Sequence, residues 1–399
     1  MMWMRDNGRY DRYREYKETN VKQVLADMNN ISEEMLDLAY SAVLYRNREV
    51  VKEVLRLEEQ MDSLLYNLRV AAILGARNLQ DAVELSGILQ IASAAENISN
   101  AAADIAKTAL SVDITCYFDI EDLEEAVVHV RVSSKSPLNG KTLGELMLET
   151  ETGMRILAIK RGDRWIYSPD RDEVIMENDL LIASGPTDSV PSFYRVVACE
   201  DFARSRRSRR MIYEEIADRI AEMKNISELM VGLAYSAVTF QSKEIAEEVA
   251  ALEERMDRMK DELEMLVMEA AAASNASKKR FNELRGILHV CFSSEIISDA
   301  AYEIADIILR DIPMHPVFAA SLREMDEVVL KAEVKNAAGR TIESLGIEKK
   351  MGMFVLAVRR KDGTWIYNPD EHTILQPDDI IIMRGPKECE EAVRKLLEG

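Results

Sequence analysis

The hexapeptide Leu-Ala-Tyr-Ser-Ala-Val occupies residues 38–43 and returns unchanged at residues 233–238, about half a chain length later. The tetrapeptide Asn-Ile-Ser-Glu precedes it both times, at residues 30–33 and 225–228. Solenoid repeats have periods of about 20–50 residues, so this much longer period indicates the duplication of a whole unit of roughly 200 residues. The two copies are therefore expected to pack against each other within one chain.

The first part of each copy has the apolar period of a helical bundle. Residues 18–111 contain no proline, and their apolar residues recur every three or four positions. Breaks near residues 46–48 and 75–78 divide this stretch into three long helices with short connections. The pattern returns over residues 211–311. We predict two three-helix units that pack together as a six-helix bundle.

The second part of each copy changes to the alternating period of a β-strand. Val128, Val130 and Val132 alternate with polar residues, and Gly162-Asp163 marks a hairpin turn after a strongly apolar strand. We predict a small α+β domain over residues 118–200 and a second one over residues 318–399. The fold class is thus multi-domain, α and α+β.

Composition excludes several classes of function. The 399-residue chain has a formal net charge of −20, which repels phosphate backbones, so nucleic-acid binding is not expected. No run reaches the roughly 18 apolar residues of a membrane span, and the N-terminus lacks a secretory h-region, so a cytoplasmic protein that does not itself span the membrane is expected. The wide spacing of the cysteines in the sequence predicts isolated thiols at Cys116, Cys199, Cys291 and Cys389.

One basic block, residues 204–210, separates the copies. Such a block can bind an anionic membrane surface or an acidic patch of a partner. A solvated linker is the preferred interpretation.

Pairs of carboxylates border the apolar stripes of the second and third predicted helices in each copy. Residues four apart share one helix face, where like charges repel and a cation would reverse the effect. If the two helices pack side by side, the carboxylates form an oxygen-rich site for a divalent cation or iron. A solvated acidic face is the alternative. The candidate ligands are Glu58, Asp62, Glu96, Glu253, Asp257, Glu295 and Asp299.

Residues 95–106 and 294–305 resemble the third-helix signature of PhoU domains, in which an E-x-x-x-D pair opens a run of small residues. The resemblance implies three-helix units paired into a six-helix bundle, metal binding through the carboxylates above, and regulation of phosphate transport. The chain departs from the pattern at Asn100, where the family has aspartate, and at Asn97 and Ile296, where the family usually has arginine.

The α+β domains resemble the C-terminal domain of TrkA-type regulators of potassium transport. An ordered series carries the resemblance in each copy: residues 140–146, 156–161, 168–170 and 177–182, and then residues 339–345, 355–360, 368–370 and 378–382. It implies domains that dimerise, of which some bind an ion or a nucleotide such as cyclic di-adenosine monophosphate in the dimer groove. The G-x-G-x-x-G run of a Rossmann domain is absent from the sequence, so NAD is not predicted.

Side-chain chemistry suggests which residues could bind a small anionic ligand in a groove between the two α+β domains. Ile156, Leu157, Val355 and Leu356 are candidate apolar walls, and Arg161 and Arg360 are candidate phosphate ligands. Arginines that only face solvent are the alternative.

These patterns together predict a regulatory protein and not an enzyme, since no P-loop or nucleophile motif occurs. The predicted partner is a membrane transporter or channel for a cation, most readily potassium, controlled through a ligand or metal ion. Control of phosphate transport or signalling is the alternative, and a metal-dependent hydrolase is the weakest hypothesis because no histidine accompanies the carboxylates. Further assembly into a homodimer is left open.

Overall fold

A computed structural model describes residues 21–114, 125–202, 211–272, 278–313, 327–367, 369 and 371–398. The chain begins with three long helices, α1 (Val21–Tyr45), α2 (Arg48–Gly75) and α3 (Leu79–Ser111). Asparagine ends each connection: Asn47 accepts hydrogen bonds from the backbone of Glu49 and Val50, and Asn78 accepts one from Asp81. These N-caps stabilise the helix starts and confirm the two predicted breaks.

The first α+β domain follows. Its elements are β1 (Glu125–Arg131), α4 (Leu143–Leu146), α5 (Leu148–Thr152), β2 (Arg155–Arg161), β3 (Arg164–Tyr167), β4 (Leu180–Pro186) and α6 (Val190–Val197). A capping box fixes the start of α4, since Thr142 and Glu145 each bond the other's backbone. The alternating strand β1 and the hairpin of β2 and β3 agree with the sequence prediction, whereas α5 and α6 are too short to show a helical period and were not predicted.

The second copy repeats this order of elements. Its helices and strands are α7 (Met211–Phe240), α8 (Lys243–Ala272), α9 (Lys278–Leu309), β5 (Glu327–Glu333), α10 (Ile342–Leu345), α11 (Ile347–Met351), β6 (Phe354–Arg359), β7 (Trp365–Tyr367), β8 (Ile380–Pro386) and α12 (Glu390–Leu397). The basic block 204–210, Cys116 and parts of the predicted domains at residues 118–124 and 318–326 lie outside the described residues.

The six long helices form one bundle, as predicted. A single apolar core runs through all six. Helices α3 and α9 lie antiparallel at its centre: the Gln90 side chain donates to the Glu303 carbonyl at 2.8 Å, and Gly286 lies against Thr108 and Val112 at the opposite end. Because each copy covers the apolar face of the other, the duplication provides an intramolecular partner.

Each α+β domain contains a four-stranded antiparallel sheet, with the strand orders β1-β4-β2-β3 and β5-β8-β6-β7. The register of β2 against β4 shifts between Ile156 and Ala158, and that of β6 against β8 shifts between Val355 and Ala357. These irregularities lie at Leu157 and Leu356, whose side chains join the core of the bundle. Sheet and bundle are therefore packed through a shared apolar layer.

The two α+β domains contact each other through α5 and α11. The contact is reciprocal: a Cβ atom on Gly153 would lie 3.1 Å from the Glu348 carbonyl oxygen, and one on Gly352 would lie 2.8 Å from the Glu149 carbonyl oxygen. Arg171 adds a peripheral ion pair with Glu388 at 3.6 Å. The two α+β domains thus pair as predicted. Their close contact requires residues without a side chain, Gly153 and Gly352, at the ends of α5 and α11.

Helix α1 is joined to the first sheet by a half-buried histidine, His129. His129 Nε2 lies 2.9 Å from the Ser41 hydroxyl oxygen, and its ring stacks on Tyr45 with the centroids 3.8 Å apart. The Tyr45 hydroxyl donates to the Val127 carbonyl at 3.0 Å. Burial lowers the pKa of His129 from 6.5 to about 4.

This histidine makes the stability of the junction depend on pH. Only the unfolded state binds its proton between pH about 4 and 6.5, so the free energy of unfolding falls as pH drops through that window. The expected loss is on the order of 2–3 kcal/mol, complete below pH about 4. Hydrogen exchange of residues 125–131, followed over a range of pH values, measures this loss of stability. His129→Gln should flatten the dependence, and equal pH dependence in both proteins would contradict this assignment.

Candidate functional site

The second copy brings its four predicted carboxylates together on the surface of the bundle. Glu253 and Asp257 project from α8, while Glu295 and Asp299 project from α9, which packs beside it. Partial burial raises the pKa of Asp299 to about 6, and the neighbouring charges of Glu295, Glu253 and Asp257 add to the effect. Burial likewise raises the pKa of Glu253, with Asp257 contributing. These four anions thus share one electrostatic field, but no three of them bring their oxygen atoms within 4.8 Å of one another, so a bound cation would have to draw them together.

A lysine of the same copy lies within this cluster. Lys260 Nζ is 2.9 Å from Glu295 Oε1 and 3.3 Å from Asp257 Oδ1. It leaves the cluster with an excess of negative charge. The donor set of carboxylate oxygens suits a divalent cation such as Mg²⁺ or Mn²⁺ better than a softer metal. Sequence reasoning missed Lys260, because the first copy has an apolar residue, Leu65, at the equivalent position.

The first copy has a weaker version of this cluster. Lys107 Nζ lies 3.4 Å from Glu58 Oε1 and 3.1 Å from Asp104 Oδ1. Burial raises the pKa of Glu96, an effect that Asp62 reinforces and the charge of Arg69 opposes. With Asn100 in place of a fourth carboxylate and with Lys107 and Arg69 nearby, this face offers a metal ion fewer carboxylates and more competing positive charge. Ligation by Glu58, Asp62 and Glu96 stays a prediction.

Another group of potential ligands was not predicted. Ligand atoms of Glu343, Glu371 and His372 lie within 4.8 Å of one another, the one such group among the described residues. The backbone bond from Glu343 N to the Glu371 carbonyl at 2.8 Å brings these distant segments together. No spacing in the sequence reveals this proximity. His372 is exposed, and exposed acidic groups are common without a metal ion.

The two arginines predicted to meet phosphate have partners inside their own domains. Arg161 donates to both oxygens of Asp179, with Nη2 at 2.8 Å, and to Glu173 at 3.0 Å. Arg360 forms an ion pair with Asp379 and donates to the Ile374 carbonyl at 3.0 Å. Both acceptor aspartates are buried. These ion pairs hold each domain together, and a phosphate would have to compete with them, so ligand binding by Arg161 and Arg360 stays a prediction.

The predicted apolar walls divide into two sets. Ile156 and Leu157 line a cavity of about 580 Å³ between α1, the first α+β domain and the edge of the second. Val355 and Leu356 are buried instead, and Leu356 packs against Gly232 of α7. The polar residues lining the cavity, chiefly Glu33, Glu34, Glu149 and Arg155, were not predicted. Glu33 and Glu34 follow the repeated Asn-Ile-Ser motif. The apolar period of this stretch predicts a helix, but it does not indicate that a cavity lies beside it.

Family models match both parts of each copy. The PhoU domain matches residues 25–109 and 220–308, and the TrkA-C domain matches residues 127–198 and 326–398. The fold and these matches define the class: the chain contains two PhoU domains, each followed by a TrkA-C domain. It belongs to the proteins that combine these two families in tandem, as the sequence resemblance predicted.

Two curated proteins share part of the sequence. Ktr system potassium uptake protein C of Bacillus subtilis is 34% identical over 93 residues, which cover 23% of this chain and 41% of that protein. Potassium channel protein 1 of Methanocaldococcus jannaschii is 31% identical over 96 residues, covering 24% of this chain and 29% of that protein. The matched region therefore spans less than half the length of either relative.

Solved structures show weaker likeness. PhoU from Pseudomonas aeruginosa matches 73% of this chain and 96% of its own, with a TM-score of 0.40 and 14% identity. The RCK domain of GsuK matches 68% of this chain and 63% of its own, with a TM-score of 0.18 and 15% identity. The assignment of the domains rests on the family matches.

Proposed function

We propose that this chain is a regulatory protein that controls potassium transport across a membrane in response to a bound ligand or metal ion. The observation that carries the proposal is the attachment of two paired TrkA-C domains to one PhoU bundle through a shared core. The part-length relatives named for potassium uptake and potassium channels support it. No described helix combines the length and apolar character of a membrane span, so the proposal places transport in a separate membrane protein.

The proposed mechanism is a shift between arrangements of the domains. The bundle contacts each sheet through Leu157 or Leu356, and the sheets contact each other through α5 and α11. A ligand that binds one arrangement more tightly therefore shifts the population toward it. A membrane partner on the cytoplasmic side would respond to that arrangement through coupling between the two sites. The protein acts by binding in this scheme, without catalysis.

Co-purification tests the partner. The tagged chain is isolated from gently solubilised membranes of its native host, with an unrelated acidic protein of similar charge as the control. We expect enrichment of a potassium transporter or channel. Enrichment of a phosphate transporter or its sensor kinase would contradict the proposal and support the second candidate.

The second candidate is control of phosphate transport or signalling. The specific observation in its favour is the four-carboxylate cluster on α8 and α9, which matches the E-x-x-x-D pattern of PhoU domains. Glu253, Asp257, Glu295 and Asp299 would hold a divalent cation there, and a bound cation would tie the two helices together. A metal-dependent hydrolase would require activity of the metal-loaded protein toward phosphoesters, which we expect to be absent.

The two copies provide a matched test of metal binding. Asp299→Asn gives the second copy the asparagine that the first copy has at position 100, and it should weaken Mn²⁺ binding by about tenfold or more because ligand charge sets affinity. Lys260→Met removes the competing cation and should strengthen binding. Calorimetric titration with Mn²⁺ measures both, with Asp104→Asn as the control. Equal Mn²⁺ affinity in wild type and Asp299→Asn would exclude this site.

A further inference from the structure

The two copies differ in a coordinated way at the corner where α1 or α7 meets its sheet. The first copy has three charged residues at this corner: Glu34, Asp37 and Arg155. Alignment of the repeats places Leu229, Gly232 and Phe354 at the same positions in the second copy. In the second copy the corner is closed by apolar packing, with a Leu356 methyl 3.0 Å from the position of a Cβ on Gly232.

In the first copy the same corner is open and forms the cavity of about 580 Å³. This volume lies within the range of small-molecule sites. Helix α1, the first TrkA-C domain, and Pro386 and Glu388 of the second TrkA-C domain all line it. An occupant that fills the cavity therefore contacts three of the four domains.

The charge of the lining is strongly negative. Five carboxylates face two arginines: Glu33, Glu34, Glu149, Asp170 and Glu388 against Arg155 and Arg171. The arginines already have carboxylate partners, because Arg155 Nη2 lies 3.1 Å from Asp37 Oδ2 and Arg171 lies 3.6 Å from Glu388. An anionic ligand such as a cyclic dinucleotide is therefore disfavoured in this cavity.

Glu34 is the most unusual carboxylate of the set. Burial raises its pKa, an effect that the Ser168 hydroxyl, which donates a hydrogen bond to it, opposes. Ser168 adopts a left-handed backbone conformation with φ 42°. Glu34 is half-buried, and a partly desolvated carboxylate beside a cavity is stabilised by a cation within it.

We propose that this cavity binds a small organic cation, with an ammonium or guanidinium group against Glu34 and Glu33. The apolar residues Leu143, Met147 and Ile156 would pack on its aliphatic body. A bare metal ion fits less well, because much of the lining is apolar and the volume far exceeds that of one ion. The inference deepens the proposed function by naming the class of its ligand.

The position of Glu33 suggests how the ligand would be sensed. Burial raises the pKa of Tyr235, in the second copy, and the charge of Glu33 adds to the effect. Asn29, one turn earlier, donates to Glu33 at 3.2 Å. A cation that neutralises Glu33 would thus change the field at a buried contact between the two halves of the bundle.

Calorimetry on the purified full-length chain tests the proposal, with agmatine and spermidine as probes. We expect saturable binding of at least one of them, weakened by about tenfold or more in Glu34→Gln. Glu34→Leu, which introduces the residue that the second copy has at this position, provides a second variant without the carboxylate. Glu177→Gln, an exposed charge change in the same TrkA-C domain, should bind as wild type does.

Several outcomes would overturn the inference: no binding of either amine, equal binding in wild type and Glu34→Gln, or displacement of the amine by cyclic di-adenosine monophosphate. Displacement by Mg²⁺ at millimolar concentration would indicate a metal site instead and would also overturn it. The calorimetry contains no transporter, so a failure of the amines to bind would not contradict the proposed control of potassium transport. Conversely, amine binding without any effect on potassium flux would contradict the proposed function alone.

Discussion

Replacing Arg161 by methionine is expected to destabilise the first TrkA-C domain by about 3–5 kcal/mol, the usual effect of leaving a buried charge without its partner. Asp179 is 1% exposed, and Arg161 donates to both of its carboxylate oxygens. Without the guanidinium, Asp179 Oδ2 still accepts a hydrogen bond from the Met176 backbone N–H at 2.9 Å. Hydrogen exchange of β2 and β4 measures the loss locally, which suits a chain of several domains.

The variant Arg161→Met with Asp179→Asn separates the ion pair from the rest of the side chain. Removing both charges should recover much of the lost protection, because no uncompensated carboxylate remains. Arg360→Met serves as the matched control and should destabilise the second TrkA-C domain only. Unchanged protection of β2 and β4 in Arg161→Met, together with weaker binding of an anionic ligand, would contradict the structural role and restore the original phosphate prediction.

The second large effect is expected at the contact between the TrkA-C domains. Gly352 has φ 64°, and a Cβ atom there would lie 2.8 Å from the Glu149 carbonyl oxygen across the interface. Gly352→Ala therefore combines backbone strain of about 1–3 kcal/mol with a clash against backbone, which cannot move aside as a side chain can. We expect the domains to separate and the protection of α5 to fall by about tenfold or more.

Gly339→Ala is a close control for this substitution. Gly339 has φ 81°, and its Cβ position has no neighbour within 4 Å. Both variants therefore suffer strain in the left-handed region, but only Gly352→Ala disturbs the interface. If hydrogen exchange of α5 were the same in the two variants, the pairing of the TrkA-C domains would not depend on this contact.

The sequence was sufficient to predict the fold because its signals are long and redundant. The repeated Leu-Ala-Tyr-Ser-Ala-Val motif indicated a duplication, and the change of apolar period after each helical unit indicated the α+β domains. Helices α5 and α6 were missed because four- to eight-residue helices have too few turns to show a period. The positions of such short helices are determined by tertiary contacts, such as those that Gly153 and Gly352 each make with the opposite TrkA-C domain.

The site was harder to predict because it depends on packing between distant segments. Spacing alone placed four carboxylates on one face of α8 and α9, but it could not show that Lys260 would lie among them. It also could not show that Arg161 would turn toward Asp179. The difference between Glu34 and Leu229 was visible in the repeats, yet its meaning depends on the cavity that α1 forms with the first TrkA-C domain.

The most direct test of the account is a paired flux measurement in the native host, with and without the gene for this chain. Uptake of ⁸⁶Rb⁺, as a tracer for potassium, and uptake of radioactive phosphate are measured in the same cells. The account predicts that loss of the chain changes ⁸⁶Rb⁺ flux, leaves phosphate flux unchanged, and is reversed by the wild-type gene. A change in phosphate uptake with unaltered ⁸⁶Rb⁺ flux would contradict it.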